Sequence, residues 1–283
     1  MLTIQELNFR YPNSNHDTLK GLNFSITKGE IFGFLGPSGA GKSTTQKILY
    51  KLLRGYMGEI RFQNKTLRQW NRDFYEQIGV SFELPNHYLK LTAEENLTFF
   101  SSFYKNPVAD IRGLLARVDL DQDRKKLVSD FSKGMKMRLN FVRSLLHNPD
   151  MLFLDEPTSG LDPINGNKIK DIIKGLKQEG KTIFISTHNM FDADQLCDRV
   201  ALLHKGEIKA LDTPANLKLK FGNRTVKVTT SLPQKQELIF PLENIGQNPG
   251  FLSALLNNPI DTIHSQEATL EEVFIKVTGE QLV

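Results

Sequence analysis

Several features that would place the chain in other protein classes are missing from its 283 residues. Cys197 is the only cysteine, so a disulfide framework within the chain is impossible, which is typical of proteins that work in a reducing compartment. We expect its thiol to be half-buried. No stretch of 18 apolar residues occurs, and the opening MLTIQELNFRYP lacks the basic and apolar regions of a signal peptide. The sequence therefore predicts neither a transmembrane helix nor a secretory leader.

Charge patterning and repetition exclude further classes. The net charge is only +4, and no stripe of arginine interleaved with aromatic residues marks a nucleic-acid surface, so no nucleic-acid partner is expected. Repeats and low-complexity tracts are absent. The hydrophobic content of 39% and the charged content of 24% are typical of a globular protein with a sizeable core. The length predicts one large domain, or one domain of about 200 residues with a smaller companion.

The hydrophobic pattern predicts an α/β core. LTIQELNFRY and GLNFSITKGE alternate apolar and polar residues, as half-exposed strands of an N-terminal antiparallel β region do. Uninterrupted apolar runs separated by helical stretches are typical of buried parallel strands. Four such runs follow: IFGFL (31–35), MLFLD (151–155), TIFIS (182–186) and VALLH (200–204).

Two other parts of the chain differ from this core. Residues 86–147 predict an inserted helical subdomain, with a capping box from Thr92 to Glu95 and further helices near 110–118 and 133–147. The rest of 1–212 forms the main domain. Residues 213–283 predict a small C-terminal α/β domain. There TVKVTT alternates like an edge or half-exposed strand, and ATLEEVFIKVTG carries an apolar helical stripe.

A glycine-rich loop follows the strand IFGFL and precedes a helical run, in the pattern G-x-x-x-x-G-K-[ST]. Glycines let successive backbone N–H groups turn inward onto phosphate, and the helix dipole adds positive potential there. We expect Lys42 to reach the terminal phosphates and the Ser43 hydroxyl to ligate Mg²⁺. The predicted nucleotide-binding residues are Gly36, Pro37, Ser38, Gly39, Ala40, Gly41, Lys42, Ser43 and Thr44.

An acidic pair closes the strand MLFLD. Asp155 is the expected partner of Mg²⁺, and Glu156 is placed to orient and deprotonate an attacking water. An alternative for Asp-Glu-Pro is a solvated turn. Because the pair ends a buried apolar run directly, catalysis is the stronger interpretation, with Glu156 and Lys42 as catalytic residues.

These motifs and their order resemble those of the ATP-binding subunits of ABC transporters, over essentially all of residues 1–212. FSKGM at 131–135 stands where that family has its LSGGQ signature, and LDEPTSGLD at 154–162 is similar to its Walker B and D-loop segment. His188 in ISTHNM matches the family's H-loop histidine, and Tyr11 matches its A-loop aromatic residue. The end of the chain, ATLEEVFIKVTG, resembles the ATP-binding subunits of bacterial drug and antibiotic exporters.

The resemblance implies a role for each matched residue. Ser132 and Gly134 would bind the γ-phosphate on the Walker A loop of a second subunit, and Asp162 would organise that partner site. Tyr11 would stack on adenine, and His188 would face the γ-phosphate as a third catalytic residue beside Glu156 and Lys42. From the residues alone, Ser132 is more often a helix N-cap and His188 a structural histidine, and Tyr11 could be the last residue of a strand face with Leu7 and Phe9.

The chain departs from the family pattern mildly in the signature, where Lys133 and Met135 replace glycine and glutamine, and more strongly at one further position. The family has glutamine at the end of the strand that leads into the helical subdomain, whereas IGVSFELP places Glu83 there. A carboxylate adds a full negative charge and offers acceptors only. We predict that Ser43, Glu83 and Asp155 hold Mg²⁺. The alternative is that Glu83 points away and pairs with a cation of the membrane subunit.

Together these features predict an ATPase of α/β, P-loop type that dimerises around two ATP–Mg²⁺ and drives a separate membrane permease, as an exporter, from the cytoplasmic face of the membrane. A soluble ABC-type ATPase acting on ribosomes or DNA is the alternative. Such chains usually carry two ATPase cores in tandem or a long coiled coil, whereas this sequence has a single G-x-x-x-x-G-K-[ST] motif and no heptad run. A GTP switch or small-molecule kinase would leave the signature segment unexplained, and Asn64-Lys65-Thr66-Leu67 fails the guanine-specific pattern at its last residue. A non-hydrolysing regulatory module would not need Glu156 and His188.

Overall fold

The computed structural model describes residues 1–231 and 235–280, which divide into two compact units, Met1–Leu211 and Asp212–Val283. The strands are β1 (Leu2–Phe9), β2 (Leu19–Ile26), β3 (Ile31–Leu35), β4 (Met57–Phe62), β5 (Lys65–Thr66), β6 (Ile78–Ser81), β7 (Met151–Asp155), β8 (Thr182–Thr187), β9 (Arg199–His204), β10 (Glu207–Asp212), β11 (Thr225–Thr230), β12 (Gln236–Pro241) and β13 (Ile260–Gln266).

Helices alternate with the strands along the chain. The α-helices are α1 (Lys42–Leu49), α2 (Ala93–Ser101), α3 (Ile111–Arg117), α4 (Lys133–Arg143), α5 (Pro163–Gln178), α6 (Met190–Leu196), α7 (Pro214–Phe221), α8 (Pro249–Asn257) and α9 (Leu270–Thr278). Short 3₁₀ helices span Leu67–Gln69, Arg72–Glu76, Val128–Asp130 and Ile245–Gln247. Within the described ranges, none of the helices is long and apolar enough to cross a bilayer.

The first unit is built on two sheets. Its six-stranded sheet has the order β10-β9-β3-β8-β7-β6, and β3, β6, β7, β8 and β9 pair in parallel. The antiparallel sheet β2-β1-β4-β5 packs on it through aromatic rings, with Phe24 stacked on Phe32 at 5.4 Å between ring centroids. Four of the six strands are the predicted apolar runs, buried on both faces because sheet and helices cover them. All four run in the same direction, so their carboxyl ends meet at one edge of the sheet.

Helices α2, α3 and α4 lie between β6 and β7 in the chain. The Thr92–Glu95 capping box is present at the start of α2, with both reciprocal hydrogen bonds formed. The predicted helix over 133–147 was too long, because α4 ends at Arg143. There the Ser144 hydroxyl donates to Phe141 O over 2.6 Å, a local bond that competes with helix continuation.

The second unit contains a three-stranded antiparallel sheet of order β12-β11-β13, and α7 packs on α9 within it. TVKVTT was predicted to be an edge or half-exposed strand, and the edge alternative was wrong: β11 is the central strand, bonded on both sides. The second capping box, from Thr269 to Glu272, begins α9.

Cys197 is also more enclosed than expected. It is buried rather than half-buried, because it packs on Gly33 of β3, where an added Cβ would lie 2.7 Å from the sulfur. Burial raises the pKa of this thiol. Cys197 therefore serves as a core residue.

Candidate active site

The phosphate loop owes its shape to glycine at two positions. An added Cβ at Gly36 would lie 2.2 Å from the carbonyl oxygen of Leu203, so β3 and β9 leave no room for a side chain there. Gly41, the N-cap of α1, has φ +110°, a conformation that L residues rarely adopt. The loop consequently wraps back over the start of α1, whose first N–H groups have no intrahelical partners. This is the geometry that receives a phosphate group.

Lys42 lies inside this loop. Its Nζ donates to Gly36 O over 2.6 Å and to Pro37 O over 3.0 Å, so two of its three ammonium hydrogens are engaged. Burial lowers the pKa of Lys42, whereas the carboxylates of Glu156, Asp155 and Glu83 raise it. A buried cation faced by three carboxylates and one free donor direction suits a polyanionic ligand.

Asp155, the last residue of β7, is held from behind by a chain of polar groups. Gln46 Nε2 donates to Ser186 Oγ over 2.8 Å and to Leu154 O over 3.3 Å, and the Ser186 hydroxyl donates to Asp155 Oδ1. Because the amide of Gln46 can only donate here, the proton of Ser186 is directed to the carboxylate. Burial raises the pKa of Asp155, and Glu83 and Glu156 raise it further, against the lowering effects of Ser186 and Lys42.

Glu156 turns its carboxylate toward the neighbouring strand. Its φ of +49° is uncommon for a residue with a side chain and is strained. Oε2 accepts from Thr187 Oγ1 over 2.8 Å, and Oε1 accepts from His188 N over 2.9 Å and Nδ1 over 2.7 Å. The imidazole of His188 is otherwise exposed. Of about four lone-pair positions on the carboxylate, three are used and one remains for a water.

Glu83 reaches the same region from the loop after β6. Its side chain is exposed, and with Ser43 and Asp155 it lines a groove of about 1230 Å³. Over residues 1–231 and 235–280 no hydrogen-bond partner of its carboxylate is present. The same ranges contain no group of three or more His, Cys, Asp or Glu side chains close enough to hold a metal ion by themselves.

The donor set nevertheless fits Mg²⁺ as this ion is bound beside nucleotides. Ser43, Glu83 and Asp155 supply one hydroxyl and two carboxylates, all hard oxygen ligands. Mg²⁺ commonly uses one or two carboxylates, keeps several waters and takes its remaining ligands from substrate phosphates.

Tyr11 lies beside the phosphate loop. It follows β1 by two residues, so it is not part of the strand face with Leu7 and Phe9. Its hydroxyl is 3.1 Å from Thr44 Oγ1, and its ring contacts Phe9 edge-on at 5.0 Å between centroids. The ring is 37% exposed, which leaves a face open to a planar ligand.

Ser132, Gly134 and Asp162 form a second group. Ser132 is the exposed N-cap of α4, where its Oγ accepts from Met135 N over 3.2 Å. Its helix start lies against the segment before α5, since an added Cβ at Gly134 would be 3.5 Å from Leu161. Asp162 caps α5, and the hydrogen bonds from Asn165 and Ile164 lower its pKa. In the described part of the chain, no hydrogen bond connects this group with the phosphate loop.

Three residues that contact Asp155, Glu156 or each other were not predicted from the sequence to belong to the site: Gln46, Ser186 and Thr187. A signal was present, because Ser186 and Thr187 are polar residues at the carboxyl end of a buried strand, and Gln46 falls on the buried face of α1. Their hydrogen-bond partners could not be predicted, because these depend on how the strands pair. In the parallel register of β7 and β8, Ser186 lies opposite Asp155.

Comparison with known proteins finds family models, relatives and solved structures that are similar to this chain. Residues 19–159 match the ABC transporter family, and residues 224–267 match the fluoroquinolone efflux ABC transporter C-terminal domain. The chain is 51% identical to a fluoroquinolones export ATP-binding protein of Mycobacterium tuberculosis, over 100% of this chain and 94% of that protein. It is 34% identical to the bacitracin transport ATP-binding protein of Bacillus licheniformis, over 91% of each. A solved dimeric ATP-binding cassette in a post-hydrolysis state, bound to ADP and Pi, superimposes with a TM-score of 0.69 at 28% identity, over 75% of this chain and 98% of that one.

Proposed function

The chain belongs to the family of ABC transporter ATP-binding subunits and is therefore an ATPase coupled to transport, and we propose that it pairs with a second such subunit to drive export through a separate membrane protein. The observation that supports hydrolysis best is the arrangement of Glu156. Its carboxylate is held by Thr187 and His188 beside Asp155 and Lys42, with one lone-pair position left for water.

In the proposed reaction, Lys42 and the N–H groups at the start of α1 bind the β- and γ-phosphates. Ser43, Asp155 and Glu83 hold Mg²⁺, which when bound neutralises charge on the phosphate oxygens. Glu156 accepts a proton from the attacking water, a contribution of about 10²–10⁴-fold to the rate. His188 keeps Glu156 oriented through its two donors. Tyr11 stacks on the adenine.

In the proposed dimer, each nucleotide-binding site is completed by residues of the partner subunit. Ser132 and Gly134 present the exposed N-terminus of the 11-residue helix α4, and Asp162 lies in the segment next to it. We propose that this surface binds the γ-phosphate held on the partner's phosphate loop. The dimeric relative bound to ADP and Pi supports such a face-to-face assembly.

The groove beside Glu83 is the proposed contact with the membrane subunit. Its lining includes the cations Lys47, Lys51, Arg54 and Arg143. Next to them Leu84 is 78% exposed. A cationic groove with an exposed apolar rim fits a segment that carries both acidic and apolar side chains. This contact would place the subunit at the cytoplasmic face of the membrane.

The proposed transport substrate is an antibiotic of the fluoroquinolone class. The support is the match of residues 224–267 to the fluoroquinolone efflux C-terminal domain and the whole-length similarity to the mycobacterial export protein. Co-expression with a membrane subunit in fluoroquinolone-sensitive cells should raise the inhibitory concentration of the drug. Replacing wild type by Glu156→Gln should abolish that increase; equal protection by the variant would contradict ATP-driven export.

Complementation tests the composite site. Ser132→Arg and Lys42→Ala should each inactivate the dimer, yet a mixed dimer has one site with an intact Lys42 from one chain and an intact Ser132 from the other. We expect ATPase activity to return when the two variants are mixed, up to about half of wild type if the two sites act independently. A verified mixed dimer without activity would favour the interpretation of Ser132 as a simple helix cap.

A further inference from the structure

One face of α4 is hydrogen-bonded to the loop that carries Glu83. Lys136, Asn140 and Arg143 are spaced four and three residues apart, which aligns them on one side of the helix. Each meets a residue of the segment 82–87. His87 Nε2 is 3.0 Å from Lys136 O, Asn140 Nδ2 donates to Phe82 O over 2.7 Å, and Arg143 Nη1 donates to Asn86 O over 2.6 Å.

Asn140 is the centre of this contact. It is fully buried, and its Nδ2 also donates to Ser81 Oγ over 3.1 Å, at the end of β6. Its Oδ1 accepts from Arg143 Nη2 over 2.8 Å. The amide thus has both donor hydrogens and its oxygen engaged. A buried amide with all of these bonds satisfied fixes the relative positions of the groups it joins.

Arg143 adds a second support. Its guanidinium lies 4.7 Å from the ring centroid of Phe100 and 6.0 Å from that of Phe82. The planar group can therefore bond Asn86 and Asn140 at once while it stacks on aromatic rings, which a lysine cannot do.

We propose that Asn140 and Arg143 are positioning residues, which hold the segment 82–87 so that the Glu83 carboxylate faces Lys42 and Asp155. The proposal rests on the proposed role of Glu83 at the Mg²⁺ site. It adds a consequence, because α4 also carries Ser132 at its other end. The helix that presents Ser132 to the partner's nucleotide sets the position of Glu83 at its own nucleotide.

The first measurement reports the position of the loop without reference to metal. A nitroxide is attached at Leu84→Cys, an exposed position between the two fastened residues Phe82 and Asn86. Cys197 is buried, so the unsubstituted chain is the control for labelling at position 84. We expect a motionally restricted spectrum that becomes mobile when Asn140→Leu or Arg143→Lys is added.

Asn96→Leu is the matched control. Asn96 is also a fully buried asparagine of a helix in the same region, but its Nδ2 bonds Tyr88 O and Thr92 O rather than residues 82–87. It should lower thermal stability as Asn140→Leu does and leave the label restricted. A label that stays restricted in both Asn140→Leu and Arg143→Lys overturns the proposal, as does a label that Asn96→Leu mobilises equally. Arg143→Lys provides the test if Asn140→Leu fails to fold.

The second measurement is a Mg²⁺ titration of ATPase activity with unlabelled chain. Asn140→Leu should raise the Mg²⁺ concentration for half-maximal activity about fivefold, as for one net hydrogen bond. Added to Glu83→Gln it should change that concentration no further, because both changes act through the same carboxylate. Fully additive shifts would overturn the proposal. A mobilised label with no Mg²⁺ effect of Glu83→Gln would support the fastening by Asn140 and Arg143 while contradicting the metal role of Glu83.

Discussion

His188 Nδ1 donates to Glu156 Oε1 over 2.7 Å, and the backbone N–H of His188 donates to the same oxygen over 2.9 Å. Two donors from one residue define the rotamer of the carboxylate. They also assign the imidazole proton to Nδ1, so that a neutral His188 presents Nε2 as an acceptor, and only the doubly protonated ring can donate from Nε2. The pair therefore fixes the orientation of the proposed base through a backbone N–H and an Nδ1–H that both forms of the ring carry.

Glu156→Gln should stop turnover while ATP binding persists. The amide oxygen can accept from His188 and the amide N–H₂ can donate to Thr187, so the contacts survive and only the base is lost. We expect a decrease of about 10²–10⁴-fold in phosphate release. In Mg²⁺ and ATP, light scattering should show a persistent dimer, since reopening depends on hydrolysis. The control is Glu179→Gln, an exposed partner of Arg117; turnover of Glu156→Gln near the wild-type rate would remove Glu156 from the mechanism.

Glu83→Gln should keep ATPase activity to within about tenfold, or ~1.4 kcal/mol of barrier. The amide retains an oxygen ligand but loses a full negative charge, so half-maximal activity should require more Mg²⁺. Glu83→Ala should lose more activity, because no oxygen remains. Mg²⁺ titrations of the chain without its membrane partner measure both effects. Three superimposable curves for wild type and the two variants would mean that Glu83 is not a metal ligand.

Ser186→Ala should destabilise the chain, and it should also raise the Mg²⁺ concentration that ATPase activity requires. The change removes the donor to Asp155 Oδ1 and leaves one hydrogen bond of the Gln46 amide unmade inside the core. We expect a loss of about 1–3 kcal/mol in the free energy of unfolding, measured with denaturant. Ser102→Ala, at the exposed end of α2, should change it by less than about 0.5 kcal/mol. An unchanged Mg²⁺ requirement in Ser186→Ala would show that Ser186 does not orient Asp155.

Asp155→Asn should stabilise the chain without nucleotide or metal, and more at pH 7 than near pH 4. Burial raises the folded-state pKa of Asp155 above its ordinary value of 3.8. The folded state therefore binds the Asp155 proton more tightly than the unfolded state does. The resulting contribution to the free energy of unfolding is complete below pH 3.8 and is lost as pH rises through the folded pKa. Asparagine has no such loss and still accepts from Ser186. Thermal unfolding from pH 4 to pH 7 measures the difference.

Asp162→Asn is the control of opposite sign for that experiment. The pKa of Asp162 is lowered in the fold, so its contribution is present above the ordinary value of 3.8 and disappears as pH falls through the folded pKa. Asparagine is an equally good N-cap, which leaves the charge as the main difference. We expect Asp162→Asn to be less stable than wild type at pH 7 and equal to it in acid. Parallel curves for both variants would exclude a titration effect of Asp155.

Local sequence determined the features that depend on neighbouring residues. The loop from Gly36 to Ser43 could be predicted because its glycines, lysine and hydroxyl act through consecutive backbone atoms. The capping boxes at Thr92 and Thr269 each join residues that are three positions apart. The four apolar runs predict strands that are covered on both faces. The family resemblance added the expected roles of the remaining site residues, and membership in that family was confirmed.

Only the tertiary structure decided how these pieces support one another. Ser186 meets Asp155 across 31 residues, and Gln46 meets Ser186 across 140, so neither contact has a local signature. The central place of β11 follows from hydrogen bonding on both edges, which its own alternation does not encode. In the sequence, Asn140 looks like any other polar residue of a helix. Its role appears only in the structure, where its amide bonds the end of β6 and the segment 82–87. Hydrogen bonds between distant residues depend on strand register and helix rotation, which the whole core fixes through the burial of apolar surface.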